Sequence, residues 1–140
     1  MNMPTLVLLA FAGWTLLILF GTVGVYRWSR ILTGRATVSE WQANKPQGSD
    51  GYQRAIAAHR NCIENLPVYT ALVVAIAAFQ VESTTLNVLS LVLLGARMAQ
   101  SLVHIGFEQT EKVATWRFAF FFTQIVTMIW MGIEIVRSLP

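Results

Sequence analysis

Four apolar runs, each long enough to cross a lipid bilayer as a helix, constrain this chain more than any other feature of its sequence. The first, Pro4 to Tyr26, holds about 23 residues and reaches roughly 35 Å at about 1.5 Å per residue, against a hydrocarbon core of roughly 30 Å. The second begins near Tyr52 and runs to about Phe79, and Leu86 to about Phe107 and Val113 to about Ile135 supply the third and fourth. Hydrocarbon offers no water to backbone N–H and C=O groups, so runs of this kind cross it as helices. The expected fold class is therefore all-α: an integral membrane four-helix bundle of up-down topology, with spans at about 4–26, 52–79, 86–107 and 113–135.

Composition agrees. Only 12% of the 140 residues are charged and 55% are hydrophobic, whereas about a quarter of a soluble domain is charged. A bundle of this size uses nearly the whole chain, so a single domain over 1–140 is expected and any site has to lie inside the bundle or at its mouths. The single cysteine, Cys62, excludes an intramolecular disulfide, and one cysteine with two histidines is a poor donor set for a zinc site. A formal charge of +3 suits cations that flank spans, not the dense basic patch of a nucleic-acid binder, and no nucleic-acid partner is expected. Met1 to Thr5 carries no Lys or Arg and the apolar run that follows exceeds a signal-peptide core, so the first span is expected to be retained.

Short connections, "QVESTT" and "EQTEK", force neighbouring helices to run antiparallel, which puts loops one and three on one side and loop two with both termini on the other. The long first loop, rich in turn formers at "NKPQGSDG", holds Arg27, Arg30, Arg35 and Lys45, and the third holds Lys112. Loop two and the N-terminal tail hold no Lys or Arg, and Arg137 is the exception near the C-terminus. The excess of cations predicts that loops one and three are cytoplasmic.

Polar residues interrupt the apolar runs at one level. The second span opens with "YQRAIAAHRNCIENLP", and Leu66 to Phe79 alone reaches only about 21 Å, so part of this polar stretch lies at hydrocarbon depth or in a cavity. A charge at the bilayer centre costs about 2.5 to 3.5 kcal/mol even on the lenient insertion scale, so Arg60 and Glu64 need pairing or hydration, and their i,i+4 spacing permits mutual pairing. On the third span Arg97, Gln100, Ser101, His104 and Glu108 share one helical face, and on the fourth Trp116, Arg117, Phe120 and Gln124 do so near its start. With antiparallel helices these stripes converge at a single depth. Arg54, Glu108 and Arg117 read best as packing or interfacial groups, whereas Arg60, Asn61, Glu64, Arg97 and His104 suit a polar, charged ligand. Cys62, beside them, reads as a small buried hydrophobe, and Pro67 as a kink that frees a carbonyl.

The run "RAIAAHRNCIENLP" resembles the signature of the MAPEG family, the membrane-associated proteins of eicosanoid and glutathione metabolism, and "GARMAQSLVH" resembles that family's third helix. The resemblance implies a homotrimer that binds glutathione, its co-substrate, in clefts between subunits opening to the cytoplasmic half, while a lipophilic electrophile or lipid hydroperoxide arrives among the membrane lipids. It implies that Arg60, Asn61, Glu64 and Arg97 contact glutathione, with Gln100, His104 and Trp116 at the same site and Arg54 and His59 behind them. Glutathione has two carboxylates and one ammonium, so arginines can clamp the former and Glu64 can accept from the latter. At a pKa of about 8.5 only about 3% of a thiol is ionised at pH 7, and the implied chemistry needs a cation to raise that fraction. Eicosanoid-forming members carry a tyrosine about where His104 stands, and an activating arginine near the start of helix four, where this chain reads "EKVATWRF". Arg97, Lys112 and Arg117 are the candidates for that catalytic role. Two other classes stay open: a member that binds without turnover, and a small proton-coupled drug exporter using Glu64, against which the cluster of arginines argues.

Overall fold

A computed structural model of the chain describes residues 2–40 and 48–140. All four expected spans are present, as α1 (Met3–Leu32), α2 (Asp50–Ala78), α3 (Thr84–Gly106) and α4 (Glu111–Arg137), and no strand occurs among the described residues. Lys45 and the turn formers at 44–47 lie outside the described residues.

Each helix begins slightly earlier than its apolar run because a polar residue caps it. Asn2, Ser49, Ser83 and Thr110 accept from the backbone N–H of Thr5, Tyr52, Leu86 and Val113, at 3.0, 3.2, 3.4 and 3.2 Å. Hydropathy does not register caps, which are polar by function. α2 continues through Pro67 without a break, although its ring leaves the Ile63 carbonyl without the usual donor four residues on.

α1 also runs beyond Tyr26 to Leu32, and it contains a π-helical segment, Leu19–Gly24. Its buried residues step by three or four through Val7, Phe11, Thr15 and Ile18 and then by five to Val23, so the wider turn keeps the same line of residues on the bundle. Gly24 suits the turn: a Cβ there would lie 3.2 Å from the Leu19 carbonyl oxygen.

Antiparallel packing is read from the cross-helix contacts. Tyr26 stacks on Tyr52 at 4.4 Å, while Tyr69, farther along α2, donates to the Pro4 carbonyl at 2.8 Å. Ser83 at the start of α3 donates to Glu134 near the end of α4 at 3.2 Å. α3 packs against all three other helices, and 44% of its most apolar window is buried against 28% in each of the others, which makes it the central helix. The apolar core, with Phe11, Tyr69, Ile76, Leu86, Leu93 and Met131 essentially inaccessible, fills the bundle away from loops one and three. That leaves the polar stripes to meet at the other end.

Tyr69→Phe removes a buried donor that ties α2 to the start of α1, and a net loss of about 1 kcal/mol is expected in reversible unfolding from mixed micelles. Leu6→Ala, on the lipid-facing side of α1, is expected to change stability by less than about 0.5 kcal/mol in the same assay.

Candidate functional site

The start of α2, the end of α3 and the start of α4 meet at one end of the bundle, and the polar residues of these helices separate into an inner network, near mid-helix, and an outer face. Arg97 is the centre of the first. Its side chain is fully buried, 0% exposed, and it donates through Nη2 to the side-chain oxygen of Gln100 one turn on. The same Gln100 oxygen accepts from Gln124 Nε2 at 2.8 Å, and the Gln124 oxygen accepts from Asn65 Nδ2 at 3.1 Å. The Gln100 oxygen is thus the one amide oxygen of this network that faces the guanidinium, and it is shared with the Gln124 NH2, while Gln124 and Asn65 turn their NH2 ends along the same chain. Nε and Nη1 of Arg97 have no hydrogen-bond partner among the described residues. Cys62, on the inward side of α2, is a neighbour of this guanidinium.

One turn closer to the loops, Asn61 Nδ2 and His104 Nδ1 are 3.4 Å apart, and Cys62 Sγ and Ser101 Oγ are 3.5 Å apart. Ser101 Oγ donates to the Arg97 carbonyl at 2.9 Å, which fixes its hydroxyl against the same helix. His104, Gln100 and Ser101 are buried and Asn61 is half-buried, so the α3 stripe read from the sequence does face the interior.

The outer face is different. Arg60 and Glu64 are exposed in the single chain. Each lies two residues from Cys62 and hence about 200° around the helix from it, so α2 turns them away from the interior that holds Arg97. Arg54 pairs with Asp50 at 3.2 Å on the first turn of α2, an interfacial arrangement. His59 is half-buried, and its Nδ1 has no hydrogen-bond partner among the described residues.

On α4, Lys112 is exposed and Trp116 is 57% exposed, with its ring 6.1 Å from that of Phe120. Arg117 donates through Nη1 to the Gln109 side chain at 2.5 Å and keeps a buried Nε without a hydrogen-bond partner among the described residues. Glu108 is exposed in the connection beyond α3, which ends at Gly106, so it does not continue the helical face of Arg97, Gln100, Ser101 and His104 as the spacing predicts. Of the site residues expected from the sequence, the single chain joins Arg97 to Gln100 and Asn61 to His104, and it does not close Arg60 and Glu64 into one pocket with Arg97.

Two members of the inner network, Asn65 and Gln124, were not among the expected site residues. The available signal was Gln124 itself, an amide in an apolar helix on the face of Trp116 and Phe120, which requires a partner at that depth.

No curated protein and no solved structure matches the chain. A family model does: the one described as the MAPEG family matches residues 4–137. With four membrane-spanning helices and a match over nearly its whole length, the chain belongs to the MAPEG family.

Proposed function

We propose that this chain is a membrane-bound glutathione transferase or peroxidase, which conjugates or reduces lipophilic substrates with glutathione. The MAPEG family includes glutathione transferases, and the observation that carries the proposal here is Arg97: a fully buried guanidinium with two N–H groups unpartnered among the described residues, one helix away from Asn61 and Glu64. A cation so placed favours an anion, and glutathione presents two carboxylates and an ionisable thiol.

Arg60 and Arg97 bind the carboxylates in this reading, Glu64 accepts from the ammonium, and Asn61, His104 and Gln100 complete the polar wall. The thiol is held as thiolate by a neighbouring guanidinium and attacks the electrophile, or it attacks the outer oxygen of a hydroperoxide, breaking the O–O bond to release the alcohol and leave glutathione sulfenic acid, which a second glutathione converts to the disulfide and water. Arg97 and Arg117 each retain N–H groups unpartnered among the described residues, whereas Lys112 lies exposed on the first turn of α4. That favours the two arginines as activators, with Trp116 beside the thiol or the lipophile.

The exposure of Arg60 and Glu64 supports assembly as a homotrimer. Charged groups at hydrocarbon depth on a lipid-facing helix surface are costly, and a second subunit laid against α2 covers them and completes the cleft. Loops one and three are placed in the cytoplasm, following their cations.

Calorimetric titration of the detergent-purified protein with glutathione is expected to show saturable binding, weakened about 10- to 100-fold by Glu64→Gln or Arg97→Ala, since each removes a charged hydrogen bond. A rise in thiolate absorbance in the ultraviolet below pH 7 is expected with wild type and supports turnover. Binding without ionisation would make this a member that holds glutathione without chemistry. No binding by a folded sample, together with Glu64-dependent binding of tetraphenylphosphonium, would point to an exporter.

Sidedness has its own measurement. In a Cys62→Ala background, an impermeant maleimide added to intact cells is expected to label Glu82→Cys in loop two and not Ser39→Cys in loop one. The reverse pattern would invert the topology.

A further inference from the structure

α1 is longer than the bilayer requires. Its 30 residues reach about 45 Å at about 1.5 Å per residue, and the hydrocarbon core takes up roughly 30 Å. The emergent end, Val25–Leu32, does not become polar all round as an ordinary solvated extension would. Leu9, Leu16 and Phe20 are exposed along the lipid-facing side of the span, and Val25, Trp28 and Leu32 continue as exposed apolar residues at 60%, 58% and 79%. The π-helical turn makes this continuation possible. In an uninterrupted α-helix, Phe20 would be followed on its face by Gly24 and Arg27, and the extra residue in the turn brings Val25 and then Trp28 there instead.

The end of this extension carries cations in an unusual place. Gly34, with φ of +75°, closes α1: the N–H of Arg35 bonds the Arg30 carbonyl at 2.9 Å and the N–H of Gly34 bonds the Ile31 carbonyl at 3.2 Å. This is a Schellman cap, and it brings the third residue from the helix end alongside the second residue beyond the cap. α2 ends in the same motif, with the N–H of Val81 on the Ile76 carbonyl at 3.0 Å, and there the two residues brought together are the buried apolar pair Ile76 and Val81. In α1 the equivalent positions are Arg30 and Arg35. Arg30 lies with its guanidinium carbon 5.7 Å from the Tyr26 ring centroid and is half-exposed, and Arg35 is exposed. Cations are favoured at a helix C-terminus, which accounts for their sign. It does not account for a pair of them beside an exposed Trp28 at the level where aromatic rings meet lipid headgroups.

We infer that the extension of α1, through Trp28, Arg30 and Arg35, is a docking surface for anionic phospholipid headgroups on the loop-one side of the membrane. Trp28, Val25 and Leu32 lie against the acyl-chain boundary, continuous with the lipid-facing side of the span, and Arg30 and Arg35 share the phosphate above them. Juxtamembrane arginines gain about fivefold in preference for an anionic surface each. The inference does not depend on the glutathione site.

The test uses the full-length protein in nanodiscs of phosphatidylcholine doped with acyl-brominated phosphatidylglycerol or acyl-brominated phosphatidylcholine, with Trp28 quenching taken as the difference between wild type and Trp28→Phe. Half-quenching is expected at least fivefold lower brominated phosphatidylglycerol, with the preference reduced about fivefold in Arg35→Gln, lost in Arg30→Gln/Arg35→Gln, and retained in Arg30→Lys/Arg35→Lys. Arg35 is exposed and makes only backbone bonds in the cap, so its single variant reports on the lipid even if the double variant loosens α1. Equal quenching by the two lipids, or a preference unchanged in Arg35→Gln and the double variant, overturns the inference.

Discussion

A guanidinium with no exposure inside a transmembrane bundle is the constraint that the surrounding side chains answer. Arg97 has no exposed surface in the single chain, and in a low-dielectric interior an uncompensated charge is expensive. No carboxylate of the described residues lies within ion-pair distance of it, so compensation comes from a dipole: the Gln100 oxygen faces it, held in place by the NH2 of Gln124, whose own oxygen is taken up by Asn65. Neutral amides moderate a charge without cancelling it. The cost of that charge explains why three helices each contribute a polar group at this depth, while the half of the bundle toward loop two packs Leu86, Met131 and Ile76.

The chain's outer face poses a second form of the same problem. Arg60 and Glu64 project about 200° away from the interior line of α2, and they are exposed in the isolated subunit. For a glutathione cleft between subunits, oligomer and binding site are one requirement, since the surface that has to be covered for the charges to be tolerated is also the surface that has to approach Arg97 for a cleft to form. Asn61 stands between the two sets, half-buried and within 3.4 Å of His104, which suits it to sense both.

Much of this was legible in advance because lipid is a strict solvent. Four runs of apolar residues admit few structures, and the α3 stripe of Arg97, Gln100, Ser101 and His104 follows from a 3.6-residue period that sequence alone displays. The rest was hidden for definite reasons. Caps such as Ser49 and Thr110 are polar, so hydropathy places helix starts too late. Whether Arg60 and Arg97 share a pocket depends on how α2 is rotated against α3, and residue spacing within one helix says nothing about that. The pairing of Asn65 with Gln124 joins helices whose register is likewise unspecified by either sequence segment.

The least legible element, the π-helical turn at Leu19–Gly24, connects the most features. One additional residue per turn keeps Ile18 and Val23 both on the core and swings Tyr26 onto Tyr52. That stack, with Arg27 donating from Nε to the Tyr52 hydroxyl and the Ser49 N–H bonding the Tyr26 hydroxyl at 3.1 Å, ties the start of α2 to α1. The rotation of α2 about its axis decides which of its residues face inward, so a turn in the first helix helps set Asn61 and Cys62 toward α3 and Arg60 and Glu64 away from it. Straightening α1 by deleting one residue from the turn would therefore be felt two helices away, at His104, although no residue of α1 belongs to the site.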